Sequence, residues 1–195
     1  MGRKQGTGQP DPTKDRSAHD AARGVKQMAL SDVSKLLPTT EQIGRYHELV
    51  LLESDRGAAI MMAAFVELGL KDAIRSRIAD PGDTIAHQWF DGDTAPFGSF
   101  AAKIQLGRAL GIYGPVMHGQ LTTIKNVRNQ FAHCAVPVDF SHPAIVEETK
   151  GLRPDPLPQL DPIRTRFVST CLALAHMLGE DATRRGGGEM EVTFP

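Results

Sequence analysis

Cysteine is scarce in this chain. Its 195 residues carry two, Cys134 and Cys171. That excludes a disulfide scaffold and fits a reducing, cytoplasmic setting. Aromatic residues make up only 6%, with a single tryptophan. An excess of one charge is missing too: 22 Lys and Arg against 23 Asp and Glu leave a formal net charge of −1. A protein that wraps nucleic acid by charge alone would be strongly basic. No apolar run approaches the ~20 residues that span a bilayer. The longest uncharged apolar stretches, 57–66 and 167–179, therefore read as core segments, and no membrane partner is expected. Met1-Gly2-Arg3-Lys4 leads into no apolar signal region. The seven histidines form no H-E-x-x-H or H-x-x-x-H pair, and neither cysteine has a C-x-x-C partner, so no metal site is expected. Neither a phosphate-cradling glycine loop in strand–helix context nor a G-x-S-x-G elbow occurs, so no cofactor is expected.

What is present has helical rhythm. Alternating β-branched runs never exceed a few residues, and the expected class is all-α: a compact bundle of long antiparallel helices with short connecting helices. Residues 1–31 read as a loosely ordered arm, since the first twenty carry almost no apolar side chains to offset ordering entropy. The helical domain is placed at 32–185 and a flexible tail at 186–195.

Within the domain, Thr39 or Thr40 is suited to cap a helix containing Ile43, Tyr46, His47, Val50 and Leu51. A longer helix over 55–78 begins apolar all round, the pattern of a central helix wrapped by others. Phe65 is expected at its heart, where truncation to alanine would cost ~3–5 kcal/mol. The spacing then predicts a short helix over 83–90, where Trp89 and Phe90 pack on the core, and a turn at Asp91-Gly92-Asp93. A helix capped by Ser99 closes near Gly111, and another starts at Pro115 and ends near Cys134. A short helix over 143–150 follows, then a stiff connector at 154–158. The last helix, over 161–184, turns Val168, Cys171, Leu172, Ala175 and Leu178 inward, with His176 half-buried beside them.

The unusual stretch is Lys125-Asn126-Val127-Arg128-Asn129-Gln130-Phe131-Ala132-His133. Leu121, Ile124, Val127 and Phe131 form its apolar face, while Lys125, Asn129 and His133 line another at i, i+4, i+8. Two readings stand side by side. In the structural one, Arg128 runs along the core edge to pair with Glu67 or Asp55, and His133 ends the helix at its negative pole. In the catalytic one, Arg128 stabilises a phosphorane's charge, His133 acts as general acid or base on an RNA 2′-hydroxyl and Asn129 assists, without a metal. On a straight helix Arg128 and His133 point roughly 140° apart. Convergence then requires a loosened helix near Ala132, an Arg128 side chain that wraps round, or a dimer.

Arg128-Asn129-Gln130-Phe131-Ala132-His133 resembles the R-N-x-F-A-H signature of the mannitol repressor (MltR) family. Phe97-Gly98-Ser99-Phe100-Ala101-Ala102-Lys103-Ile104 is similar to that family's L-G-S-F-S-A-K-I element. Arg56-Gly57-Ala58-Ala59-Ile60, Leu110-Gly111-Ile112 and Asp139-Phe140-Ser141-His142-Pro143 continue the likeness over about residues 50–146. The motif positions are thus Arg56, Gly98, Ser99, Phe100, Lys103, Arg128, Asn129, Phe131 and His133. The resemblance implies an all-helical regulator of transcription. The Arg-x4-His spacing is also that of HEPN-type domains, and implies a metal-independent endoribonuclease with RNA as partner. The helix pair 99–110 and 115–133 resembles a helix-turn-helix. A recognition helix presents base-reading side chains near its N-terminus, and here that end, Pro115-Val116-Met117-His118-Gly119-Gln120, lacks Arg and Lys. Direct sequence-specific DNA binding is therefore not expected. Regulation is expected to run through protein contacts, with a homodimer as one such contact, or through RNA.

Overall fold

The computed structural model describes residues 48–78, 82–91, 94–153 and 163–184. The chain divides into two units, Met1–Leu36 and Leu37–Pro195, and every described residue belongs to the second. The expected arm, the Thr39 or Thr40 cap, the 154–158 connector and the 186–195 tail lie outside the described residues.

The fold is all-α, and no strand forms among the described residues. A helical segment at 48–52 leads into α1 (Asp55–Arg77), α2 (Asp83–Phe90), α3 (Phe100–Ala109), α4 (Pro115–His133), α5 (Pro143–Thr149) and α6 (Ile163–Arg184). Side-chain caps start three of them by accepting backbone N–H groups the helix leaves free. Ser54 Oγ accepts from Gly57 N at 3.0 Å, and Ser99 Oγ from Ala102 N at 3.1 Å. His142 Nδ1 accepts from Ala144 N at 3.3 Å. Pro115 and Pro143 occupy first turns, where their missing N–H costs nothing. Gly111, at φ 64°, closes α3 in the left-handed region.

α1 is the centre of the domain, packed by α6, α4 and α3. Its inward face carries Met62, Val66, Leu70 and Ile74, all fully buried. Leu121, Ile124, Val127 and Phe131 of α4 are fully buried against it, as their spacing predicts. Burying each such side chain contributes about 1.5–3 kcal/mol.

α1 and α4 run antiparallel, since Arg56 reaches the Cys134 carbonyl and Glu67 meets Arg128. The most extensively packed pair, α1 and α6, runs parallel instead. Arg164 Nη1 meets Asp55 Oδ1 at 2.9 Å at the N-terminal ends, and Arg77 Nη2 meets Asp181 Oδ1 at 2.5 Å at the other. The expectation of antiparallel packing thus holds for α1 and α4 and fails for α1 and α6. Four helices separate α1 from α6, and the chain uses them to return to its starting end.

Five further expectations are corrected. α1 is not wrapped on every side: Ile60 and Ala64 are exposed, while Met61, Phe65 and Leu68 are half-buried. Phe65 thus lies beside the groove between α1 and α6, and the full core penalty does not apply to it. Leu172 of α6 is only half-buried, packed against the core at the edge of the same groove. His176 is exposed, with Nε2 3.5 Å from Glu180 Oε1. Trp89 and Phe90 divide: Phe90 is buried with its ring 5.9 Å from that of Phe97, whereas Trp89 stays 36% exposed.

The turn from α3 to α4 is held by Tyr113. Its side chain is fully buried and its hydroxyl donates to the Ile104 carbonyl at 2.5 Å. Burial pushes the phenol well above its usual range, so it stays a donor. A Cβ at Gly107 would sit 2.8 Å from the Tyr113 ring, so this helix position accepts no side chain without movement.

Candidate functional site

The motif residues gather where α1, α3 and α4 meet, and Glu67 of α1 is the group that joins them. Lys103 Nζ donates to Glu67 Oε1 at 2.9 Å and to the Gly98 carbonyl at 2.7 Å. Arg128 Nη2 donates to Glu67 Oε2 at 3.0 Å, and Nη1 to Asn129 Oδ1 at 3.2 Å. Lys103 is only 4% exposed. A cation held that far from water requires a partner, since an unpaired buried charge costs several kcal/mol. Arg128 thus takes the first of the two acids expected for it. Asp55 instead accepts from Arg164 and, at 2.9 Å, from the Phe140 backbone N–H.

The other motif positions also have internal tasks. Arg56 Nη2 donates to the Cys134 carbonyl at 2.7 Å, placing a positive charge at the C-terminal pole of α4. Ser99 caps α3, and Phe100 is buried beneath it. Phe131 packs on Phe140 at 4.9 Å, and Phe140 on Phe167 at 5.4 Å, which ties α4, the 134–142 loop and α6 together. In that loop, the Ser141 hydroxyl and backbone N–H donate to Asp139 and hold its carboxyl below the usual range.

His133 stands apart. It is the last residue of α4 and is exposed. α4 remains regular to that point, so the loosening near Ala132 that would turn His133 toward Arg128 does not occur. The Arg128 side chain is drawn to Glu67 on the other side of the helix rather than around it. Within one chain, the structure brings Lys103, Arg128 and Asn129 together and leaves His133 out.

Asn129 lies between two clefts. A small one of about 180 Å³ is lined by Glu67, the start of α3, Lys125 and Arg128. A larger one of about 510 Å³ lies between α4, α5 and the 134–142 loop. Its wall offers Asn126, Gln130, His142 and Glu148 over Val136 and Ile145. Asn126 Nδ2 donates to Glu148 Oε1 at 2.7 Å across it. Neither cleft contains a nucleophile hydrogen-bonded to a base, the arrangement covalent catalysis uses. Among the described residues, no three His, Cys, Asp or Glu side chains gather as metal ligands. Nor is any described helix long and apolar enough to cross a membrane.

Sequence reasoning found Glu67 only as one of two acids open to Arg128, and did not connect it to Lys103. The signal was present: Glu67 interrupts an apolar run, and a lone carboxylate there needs a cation. The link from Lys71 to Asp91, at 2.6 Å, left no such trace, because it joins α1 to the turn after α2 across 20 residues. Compared with models of known protein families, with curated proteins and with solved structures, the chain matches none.

Proposed function

We propose that this protein is a non-enzymatic, all-helical regulator of transcription, similar to mannitol repressors, that acts through protein contacts rather than by reading DNA. The observation that carries the reading is the bridging of Lys103 and Arg128 by Glu67. The cation a ribonuclease would need for its transition state is engaged inside the fold, and the histidine it would need is elsewhere. The motif is then a device for fixing α1, α3 and α4 relative to one another. The first turn of α4 supports the same reading: it presents Pro115, Val116 and His118 where a recognition helix would carry base-reading cations. A cytoplasmic setting accords with Cys134 and Cys171 both being free thiols.

The test is RNA and DNA handling by the full chain. In EDTA, wild type, His133→Ala and Arg128→Ala are all expected to leave RNA intact. Footprinting is expected to find no salt-sensitive, sequence-specific protection of DNA. RNA cleavage that is lost in a folded His133→Ala variant would replace this reading with the ribonuclease one.

A further inference from the structure

The outward face of α1 has no role in the fold described so far. At 100° per residue, Gly57, Met61, Ala64, Leu68 and Arg75 fall within an arc of about 60°, with Ile60 on its flank. Ile60 is 38% exposed and Ala64 is exposed, while Met61 and Leu68 are half-buried and Lys71, on the Ile60 flank, is buried against Asp91 and the Phe90 ring. From Gly57 to Leu68 the line carries no charge; beyond it Lys71, paired with Asp91, and the half-buried Asp72 stand beside Arg75. Glu53 folds its carboxylate over Gly57, with Oε2 2.6 Å from where a Cβ there would stand. Arg75 is exposed at the far end. Glu53 and Arg75 lie at equal sequence distance on either side of Ala64.

We propose that this face is the docking surface for a second copy of the chain, with α1 against α1 in antiparallel register about a two-fold axis at Ala64. That register places Glu53 of each copy opposite the partner's Arg75, so the symmetric contact carries an ion pair at each end. Ile60 then faces the partner's Leu68, and the small Ala64 at the crossing lets the helix axes approach. A parallel register would set Arg75 against Arg75 and Glu53 against Glu53, and like charges so placed are repelled. The charge pattern therefore selects both the occupant and its direction, as a two-fold contact between identical surfaces requires. Self-association is independent of the regulatory reading, because it is read from mass and not from any effect on RNA or DNA.

The experiment is sedimentation equilibrium on the full chain and on surface variants whose fold is checked by circular dichroism. Wild type is expected to be a dimer. Arg75→Glu and Glu53→Arg are each expected to raise the dissociation constant roughly tenfold, because each replaces two attractions by two repulsions. The double variant Glu53→Arg with Arg75→Glu restores the complementarity and is expected to return close to wild-type affinity. Ala64→Arg, which sets two guanidinium groups at the crossing, is expected to be monomeric. A monomeric wild type overturns the proposal, as does a dimer indifferent to all four variants. Single reversals that weaken the dimer without rescue by the double variant overturn the register.

Discussion

Leu68 and Leu70 are the same residue type, two positions apart on one helix, and meet different surroundings. Leu70 is fully buried between α1 and its neighbours, while Leu68 is half-buried on the outward line. The two positions are separated by about 200° of helix rotation. The first half of α1 is apolar on both sides, so hydrophobicity alone says nothing about which side is covered. Glu67 marks one edge of the inward sector, where α3 and α4 supply Lys103 and Arg128.

The sharpest way to break this comparison is truncation on each side. Leu70→Ala is expected to cost about 3–4 kcal/mol in urea denaturation, as a buried leucine leaves a cavity. Leu68→Ala at low protein concentration is expected to cost less than about 1 kcal/mol. Equal costs would show that the outward line is as well packed as the core. Next in size is Glu67→Ala, expected to cost about 2–3 kcal/mol because it strands the buried Lys103. Glu67→Gln keeps an acceptor for Lys103 and is expected to fall between the two. A Glu67→Ala variant as stable as wild type would remove the reason for calling the charge network architectural. Gly107→Ala comes third, at about 1–3 kcal/mol, because its methyl group must displace Tyr113.

The smallest effect is a pH dependence at Asp72, beside the outward line. Burial raises its carboxyl from the ordinary value, against the opposing pull of Arg75 and Lys71. A raised folded-state value means that the folded chain holds the proton more tightly than the unfolded one. Its contribution is therefore present at low pH and lost as pH rises through the raised value. Asp72→Asn is thus expected to be slightly more stable than wild type at neutral pH, with the gain disappearing on acidification. Thermal melts of both proteins across the acidic range check the sign.

The helices were largely legible in the sequence because their signals are local. Ser99, Gly111 and Pro115 mark the boundaries of α3 and α4 through backbone chemistry that needs no tertiary context. The apolar face of α4 was legible for the same reason. The parallel course of α1 and α6 was not, since nothing local in Asp55 or Arg164 records that they meet across the chain. The candidate site was half legible. Glu67 was named as one of two acids open to Arg128, but the convergence of Lys103 on the same carboxylate depends on where α3 lands. Arg128 and His133 point roughly 140° apart on any straight helix, and the regular course of α4 leaves them so.

The parallel α1 and α6 pair carries a consequence for synthesis. Arg77 and Asp181 are separated by 104 residues, and Asp55 and Arg164 by 109. At about 5–20 residues per second, a ribosome takes roughly 5–20 s to traverse such an interval. For that time the side of α1 destined for α6, with Gly69 on it, has no α6 to cover it. The nascent chain therefore passes through a stage in which α1, α3 and α4 can assemble while one wall of the core stands open. It is in that interval, rather than in the finished fold, that a chaperone would find its largest foothold on this protein.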